Sequence, residues 1–183
     1  MSNTKPRMEL TDDQQEMLMR EALAEAERGM AAGEAPIGCI LALGPGPDLR
    51  VVARGHNRLN ALGRKTAHAE MVAFESAGSQ GGQPPALPLD AEDVIMVSTL
   101  EPCVMCLGAA MEAGMARVLF GLNAPADNGT QRVKPPESPE SSAPEITGGI
   151  LPAESRALFE RWLAGKKGTE QAKFVEQLLA LTD

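Results

Sequence analysis

The stretch DVIMVSTLEPCVMC, residues 93–106, decides the fold class of this chain. Its first half is an apolar run without polar alternation, which predicts a strand buried on both faces of a helix-covered sheet. Pro102 is typical of the first position of a helix, so we predict a helix through CVMCLGAAMEAG. The stretch therefore places two cysteines, Cys103 and Cys106, at a helix N-terminus that directly follows a buried strand.

On the N-terminal side, the pattern predicts a helix, a hairpin and a second helix. Thr11 and Gln14 form a capping box in front of a helix that ends at Gly33. The apolar segments APIGCILAL and LRVVARGH flank a Gly-Pro turn, which indicates two hairpin strands. A polar loop over Gly55–Lys65 leads to a helix capped by Thr66. The expected buried positions are Met17, Ala22, Leu23 and Ala26 in the first helix, and Met71, Val72, Phe74 and Ala77 in the second.

On the C-terminal side, the pattern predicts one more strand and two helices. The segment ARVLFG, residues 116–121, is the strand. Two breaker-rich segments, Ser79–Pro88 and Asn123–Pro144, are expected at the surface. The helices are expected at Pro152–Leu163 and Thr169–Leu181.

This order of elements predicts an α/β fold. We expect three layers, α/β/α, with one central mixed sheet of about five strands and helices on both of its faces. The whole chain, residues 1–183, is expected to form a single domain. Its core spans about residues 10–165, and a C-terminal helix occupies residues 166–183.

Composition and charge indicate which cellular compartment and which class of binding partner to expect. Three cysteines in 183 residues do not make a disulfide framework, and the polar N-terminus lacks the apolar core of a signal peptide. We therefore expect a cytoplasmic protein with no membrane partner. The net charge of −8 and an aromatic content of 3% argue against a nucleic-acid partner, because a protein that binds nucleic acid needs cations for the phosphates and aromatic side chains for stacking.

The pair Cys103-x-x-Cys106 is by itself compatible with a redox pair, half of a structural zinc site or two ligands of a catalytic metal. The chain holds only two histidines, and His68 is expected in the first turn of a helix, two residues before Glu70. Two thiolates and one imidazole give zinc three protein ligands and leave a fourth position open, as in catalytic sites. A redox pair has no use for the His-x-Glu sequence, so its presence favours a catalytic metal.

Glu70 is the natural acceptor for the proton of a water molecule bound at the open position. It stands too close to His68 in the chain to ligate the same ion comfortably, yet it is able to face that position. Cys39 is most simply a small buried strand residue.

His-x-Glu followed by Pro-Cys-x-x-Cys is the signature of zinc-dependent nucleobase deaminases. On these motifs the chain resembles the cytidine deaminase-like superfamily, and most closely its branch of bacterial tRNA-specific adenosine deaminases and guanine deaminases. The similarity covers roughly residues 10 to 165. The matching stretches are GEAPIG (33–38), GHNR (55–58), TAHAE (66–70), TLEPCVMC (99–106) and VLFG (118–121), with weaker similarity at EITGGIL (145–151).

The resemblance implies a role for each site residue. Zn²⁺, one ion per chain, is bound by His68, Cys103 and Cys106, and Glu70 carries protons during hydrolytic release of ammonia. It further implies a homodimer, for which a helix rich in Ala, Gly and Met after Cys103 offers a flat face. Substrate contacts are implied for the Asn57 side chain and the Ala69 backbone amide.

The chain departs from the tRNA enzymes after the VLFG strand. The resemblance implies His and basic residues near the RNA, whereas the segment 124–146 has no His and carries four acids against Arg132 and Lys134. We therefore expect a deaminase of a small nucleobase, nucleoside or related heterocycle, its pocket closed by residues around Ala124–Leu151. A tRNA-specific adenosine deaminase is the alternative, and a non-catalytic zinc-binding interaction module is a remote one.

Overall fold

The computed structural model describes residues 9–78, 85–87, 93–135, 137, 141–166 and 168–182. The loop expected at Ser79–Pro88 thus falls largely outside the described residues. Those residues contain six helices and five strands. Along the chain they are α1 Asp12–Ala31, β1 Gly38–Leu43, β2 Arg50–His56, α2 Leu59–Leu62, α3 Ala69–Ala77, β3 Val94–Leu100, α4 Val104–Glu112, β4 Arg117–Leu122, β5 Glu145–Thr147, α5 Pro152–Ala164 and α6 Glu170–Leu181.

The five strands form one mixed sheet in the order β2-β1-β3-β4-β5. Strand β1 pairs antiparallel with β2 and β3, whereas β3–β4 and β4–β5 are parallel. All seven residues of the central strand β3 are buried, including Ser98 and Thr99, as its lack of polar alternation predicted. The short edge strand β5 directly follows the segment expected at the surface and completes the five-stranded sheet.

The two faces of the sheet carry separate apolar cores, because successive side chains of a strand point to opposite faces. Cys39 and Leu41 of β1 pack with small residues of α3 and with α4, whereas Ile40 and Ala42 pack with α1. A third cluster, around Phe159 of α5, joins α5 and α6 to the ends of β3 and β4. Helices therefore cover both faces, which confirms the predicted three-layer α/β/α fold.

Two glycines let helices lie directly against the hairpin. A Cβ atom added at Gly38 would lie 2.2 Å from the Ala22 carbonyl oxygen of α1. A Cβ atom added at Gly55 would lie 2.4 Å from the Ala69 carbonyl oxygen and 2.5 Å from the Ala73 backbone nitrogen. All three distances are below van der Waals contact, so only glycine permits this packing. Gly55 therefore fixes the height of α3 above the sheet.

Both helices that carry the sequence motifs begin later than the sequence predicted. Helix α3 begins at Ala69 with His68 as its N-cap, rather than being capped by Thr66. Helix α4 begins at Val104 with Cys103 as its N-cap, so Pro102 lies before the helix. Neither N-cap side chain makes a capping hydrogen bond to its helix. The side chains of His68 and Cys103 instead point toward each other, with the His68 Nδ1 atom 3.6 Å from the Cys103 Sγ atom.

The buried positions of α1 and α3 also differ in part from the expected ones. The capping box of Thr11 is present, but Met17 is 48% exposed and the neighbouring Leu18 and Met19 are buried instead. In α3 the small residues Ala69, Ala73 and Ala77 face the sheet, because the close approach at Gly55 leaves room for nothing larger. The predicted Met71, Val72 and Phe74 are only partly buried.

The remaining differences are small. The polar loop expected over Gly55–Lys65 contains the last residues of β2 and the single-turn helix α2. The two C-terminal helices lie where the sequence predicted them, and Thr169 caps α6 by accepting a hydrogen bond from the Ala172 amide. Among the described helices, none combines the length and the apolar character needed to cross a bilayer.

Candidate metal centre and catalytic pocket

Three side chains from two helix N-termini meet at one point. His68 and Cys103 are the N-cap residues of α3 and α4, and Cys106 lies in the first turn of α4. The His68 Nδ1 atom is 3.6 Å from the Sγ atoms of both cysteines, and those sulfur atoms are 3.6 Å from each other. The structure thus brings together the three residues that the sequence predicted as metal ligands.

This triangle has the dimensions of one face of a zinc tetrahedron. Zinc–sulfur bonds of about 2.3 Å and zinc–nitrogen bonds of about 2.0–2.1 Å place tetrahedral ligand atoms about 3.6 to 3.8 Å apart. Two cysteines and one histidine are also the donor types that zinc prefers. The residues present therefore fit a zinc ion, with three protein ligands and one position open.

The electrostatics of the cluster favour a cation. A hydrogen bond from the Cys106 thiol lowers the pKa of Cys103 to about 4, while the same shared proton and burial raise the pKa of Cys106. The hydrogen bond to Cys103 raises the pKa of His68. Cys106 and His68 hold their protons in hydrogen bonds to the Cys103 sulfur, and a divalent cation in their place would stabilise both cysteines as thiolates.

Glu70 lies beside the cluster in the first turn of α3. Its side chain is buried, and one carboxylate oxygen accepts a hydrogen bond from the Ser98 hydroxyl at 3.2 Å. The other oxygen lies 3.3 Å from the Sγ atom of Cys106. Burial raises the pKa of Glu70, so a proton is held more readily than on an exposed carboxylate. The position suits proton transfer at the mouth of the cluster.

Asn57 follows the last residue of β2 and is buried next to α3. Its Oδ1 atom accepts a hydrogen bond from the Ala69 backbone N–H at 2.9 Å, which leaves the NH₂ group of the amide to face the pocket. The Ala69 amide is engaged by Asn57 in this structure. Its direct contact with a substrate therefore stays a prediction, and it requires exchange of this hydrogen bond.

A cavity of about 300 Å³ opens at the His-Cys-Cys cluster, a size at the lower end of small-molecule sites. Its walls include His68, Cys103, Glu70 and Asn57. Three further carboxylates, those of Glu34, Glu101 and Asp127, also line it. No lysine or arginine side chain is among the lining residues in the described part of the chain.

Two of these carboxylates hold the loops that form the cavity walls. Glu34 is buried and accepts hydrogen bonds from the backbone amides of Asn60 and Ala61 at 3.0 and 2.9 Å. Glu101 accepts hydrogen bonds from the Ala124 amide at 2.9 Å and from the hydroxyl group of Thr130. They therefore fix the loop after β2 and the loop after β4. A signal for both was present in the sequence, since each is an acid within an otherwise apolar stretch.

Helix α6 supplies a wall that sequence reasoning missed. Gln171 and Phe174 line the cavity, and Gln171 Nε2 donates a hydrogen bond to Asn60 Oδ1 at 2.6 Å. The pocket was expected to be closed by residues around Ala124–Leu151. The cavity is in fact lined by Ala124 and Asp127 of that segment together with α6. No local motif could reveal this, because only tertiary packing brings α6 to the pocket.

The three-layer fold, the His-Cys-Cys cluster and the adjacent buried carboxylate define a hydrolytic deaminase of the zinc type. The chain belongs to the cytidine and deoxycytidylate deaminase family, whose zinc-binding-region model matches residues 12–122. All four residues of the metal and acid motifs lie inside the matched region.

Curated and solved relatives agree with this assignment. The tRNA-specific adenosine deaminase of Bacillus subtilis (strain 168) is 32% identical over 159 residues, which are 84% of this chain and 93% of that protein. A solved structure from a study of A-to-I editing by tRNA:A34 deaminases is 31% identical, with a TM-score of 0.61, and the match covers 78% of this chain and 98% of that one. The guanine deaminase of Nitrosomonas europaea shares the fold at 22% identity and a TM-score of 0.60, over 87% and 88% of the two chains.

Proposed function

We propose that this deaminase acts on a free nucleobase, a nucleoside or a related small aminated heterocycle and uses one zinc ion per chain. The observation that carries the proposal is the charge of the cavity wall. Four carboxylates, those of Glu34, Glu70, Glu101 and Asp127, line the cavity, and no lysine or arginine does so in the described part of the chain. Such a wall disfavours a phosphate group and accommodates the N–H groups of a heterocycle.

The chemistry follows from the positions of the side chains. When bound by His68, Cys103 and Cys106, zinc would activate a water molecule by lowering its pKa. Glu70 accepts one proton from the attacking water and delivers it to a ring nitrogen. It then takes the second proton from the newly added hydroxyl group and delivers it to the departing amine. The C–NH₂ group and water thus become a carbonyl group and ammonia. The Asn57 amide orients the heterocycle at the mouth of the cluster, a role that its free NH₂ group supports.

Adenosine in tRNA is the second candidate substrate, and two observations favour it. The relatives at 31–32% identity are described as tRNA deaminases. In addition, Arg58 and Lys65 are exposed in the segment between β2 and α3, near one wall of the pocket. The net charge of −8 and the acidic cavity oppose this candidate. A non-catalytic zinc module is disfavoured, because Glu70 and the open pocket would then have no use.

The two candidate substrates can be distinguished by measuring which of them releases ammonia and how that release depends on salt. The zinc-loaded protein is assayed with a panel of bases and nucleosides, and with a tRNA anticodon stem-loop, at about 50 and about 200 mM salt, a range over which phosphate contacts lose most of their affinity. We expect turnover of small heterocycles with little dependence on salt. Inosine formation in RNA that falls steeply with salt, without turnover of small molecules, would establish the tRNA candidate instead.

We also propose a homodimer that uses the exposed side of α4. Val104 is 48% exposed there, and Gly108 has open space around its Cα atom, so a second copy can approach closely. Light scattering should give twice the 19.3 kDa chain mass. A fully active monomer at assay concentration would contradict the proposal. A cytoplasmic location is supported by three free cysteines.

A further inference from the structure

A second cavity, of about 260 Å³, adjoins the catalytic cavity. The two share three lining residues, Ala124, Asp127 and Phe174, so these residues stand between them. The remaining walls of the second cavity come from the start of the loop after β4 and from the last turns of α6. A ligand whose ring sits at the metal cluster could therefore extend past Phe174 into the second cavity.

The walls of the second cavity are apolar apart from two side chains. Among the described residues, Asp127 and Gln177 are its only polar side chains, and the others include Phe174, Leu178 and Leu181. Within the described part of the chain, neither Asp127 nor Gln177 has a side-chain hydrogen bond or ion pair. One carboxylate and one amide on an apolar surface can accept from and donate to hydroxyl groups.

The second cavity is not built for a phosphate group. No lysine or arginine lines it in the part of the chain that the structure describes. The nearby Arg132 is exposed, and its guanidinium group donates to the Ala126 carbonyl oxygen at 2.9 Å without forming part of the wall. A phosphate placed beside Asp127 would meet a like charge, which is unfavourable.

We propose that the second cavity is a subsite for the sugar of a nucleoside substrate. This proposal rests on the proposed function of the catalytic pocket. The heterocycle lies between the metal cluster and Phe174, and the sugar hydroxyl groups bond to Asp127 and Gln177. Phe174 is the only aromatic residue lining either cavity in the described residues, so its ring separates the base from the sugar. The preferred substrate is accordingly a nucleoside rather than a free base or a nucleotide.

The first test compares three forms of each heterocycle that the zinc-loaded protein deaminates: the free base, the nucleoside and the nucleoside 5′-monophosphate. We expect kcat/KM for the nucleoside to exceed that for the free base at least tenfold, and to exceed that for the monophosphate. Turnover of the free base alone would overturn the subsite while leaving the proposed function standing. A lack of turnover with every heterocycle would overturn the proposed function itself.

The second test assigns the preference to the subsite. Gln177→Leu and Asp127→Asn should each lower the nucleoside-to-base ratio of kcat/KM roughly three- to tenfold, the effect of one lost hydrogen bond. Glu176→Gln is the matched control, because Glu176 is an exposed neighbour on α6 that lines neither cavity. Equal ratios in Gln177→Leu and Glu176→Gln would contradict the proposal.

A binding measurement gives a readout that does not depend on turnover. Calorimetric titration of the zinc-loaded protein with the deaminated product should show tighter binding of the nucleoside product than of the free-base product. Gln177→Leu should reduce that difference, and Glu176→Gln should preserve it. Tighter binding of the 5′-monophosphate product, weakened by salt, would show that the second cavity serves a phosphate and would overturn the assignment.

Discussion

Replacing Glu70 by glutamine removes the proton carrier while keeping the shape of the site. The amide oxygen of the new side chain can still accept from the Ser98 hydroxyl, which lies 3.2 Å from Glu70 Oε1 in the parent. The new NH₂ group would face the Cys106 sulfur across the present 3.3 Å contact, and a thiolate there can accept a hydrogen bond. We therefore expect the Glu70→Gln variant to fold and to bind zinc like the parent.

The loss of turnover should be large. General acid–base catalysis contributes about 10²- to 10⁴-fold, which corresponds to about 2.7 to 5.4 kcal/mol of transition-state stabilisation. We expect a value toward the upper end because Glu70 is 4% exposed, so bulk water cannot easily replace its carboxylate. Ser98→Ala is the matched control. It deletes one hydrogen bond to Glu70 but leaves the carboxylate, so its loss of turnover should be much smaller.

The assay measures zinc content, thermal midpoint and initial rates of ammonia release on the same preparations. Zinc content and midpoint close to the parent, with kcat reduced at least a hundredfold, would agree with the proton-transfer role. Glu70→Gln activity within about threefold of the parent, at equal zinc content, would refute it. Loss of zinc from this variant would instead show that Glu70 helps to hold the ion.

Three further predictions test the cluster and its supports. Metal analysis should show that Cys103→Ser has lost most of its zinc, whereas Cys39→Ala, which changes a cysteine outside the cluster, should keep its zinc. A full zinc content in Cys103→Ser would remove Cys103 from the set of ligands. Gly55→Ala should lower the free energy of unfolding by about 1–3 kcal/mol and reduce turnover, because the new Cβ atom meets the backbone of α3. Gly78→Ala, at the other end of α3, is the control because its Cβ atom would make only ordinary contacts, and equal denaturation midpoints for the two variants would contradict the prediction. Glu34→Gln should lower the free energy of unfolding by about 1–3 kcal/mol and raise KM, because a buried acceptor of several hydrogen bonds becomes in part a donor. Unfolding and KM values like those of the parent would show that the loop after β2 does not depend on Glu34.

Most elements of the fold were predictable because they have a local signal, whereas the single-turn helix α2 and the short strand β5 were not predicted. The unbroken apolar run of β3 has no other simple interpretation than a strand covered on both faces. The capping box at Thr11 marks the start of α1, and the hairpin turn between β1 and β2 is rich in Gly and Pro. The helix starts at His68 and Cys103 were placed wrongly, since Thr66 and Pro102 are good local signals in competition with tertiary packing.

The metal motifs were predictable for a different reason. Zinc needs three specific donor atoms within a few ångströms, and this restricts the side chains to His and Cys at fixed spacings. Their convergence depends on Gly55, which seats α3 on the sheet. The hydrogen bond between Asn57 and the Ala69 amide was not predictable, because it joins a side chain to a backbone group and needs no particular residue at position 69.

The residues proposed for the chemistry and those proposed for the sugar subsite lie in different parts of the chain. The family match covers residues 12–122, which include the predicted ligands His68, Cys103 and Cys106 together with Glu70 and Asn57. The residues that divide and line the outer cavity, Asp127, Phe174 and Gln177, lie beyond it. The similarity to the tRNA-specific adenosine deaminase of Bacillus subtilis extends beyond this region, over 159 residues at 32% identity, and it supports hydrolytic deamination. We propose that the acidic loop after β4 and helix α6 select what extends from the reacting ring, because the lack of cations among their described lining residues favours an uncharged sugar over a phosphate backbone.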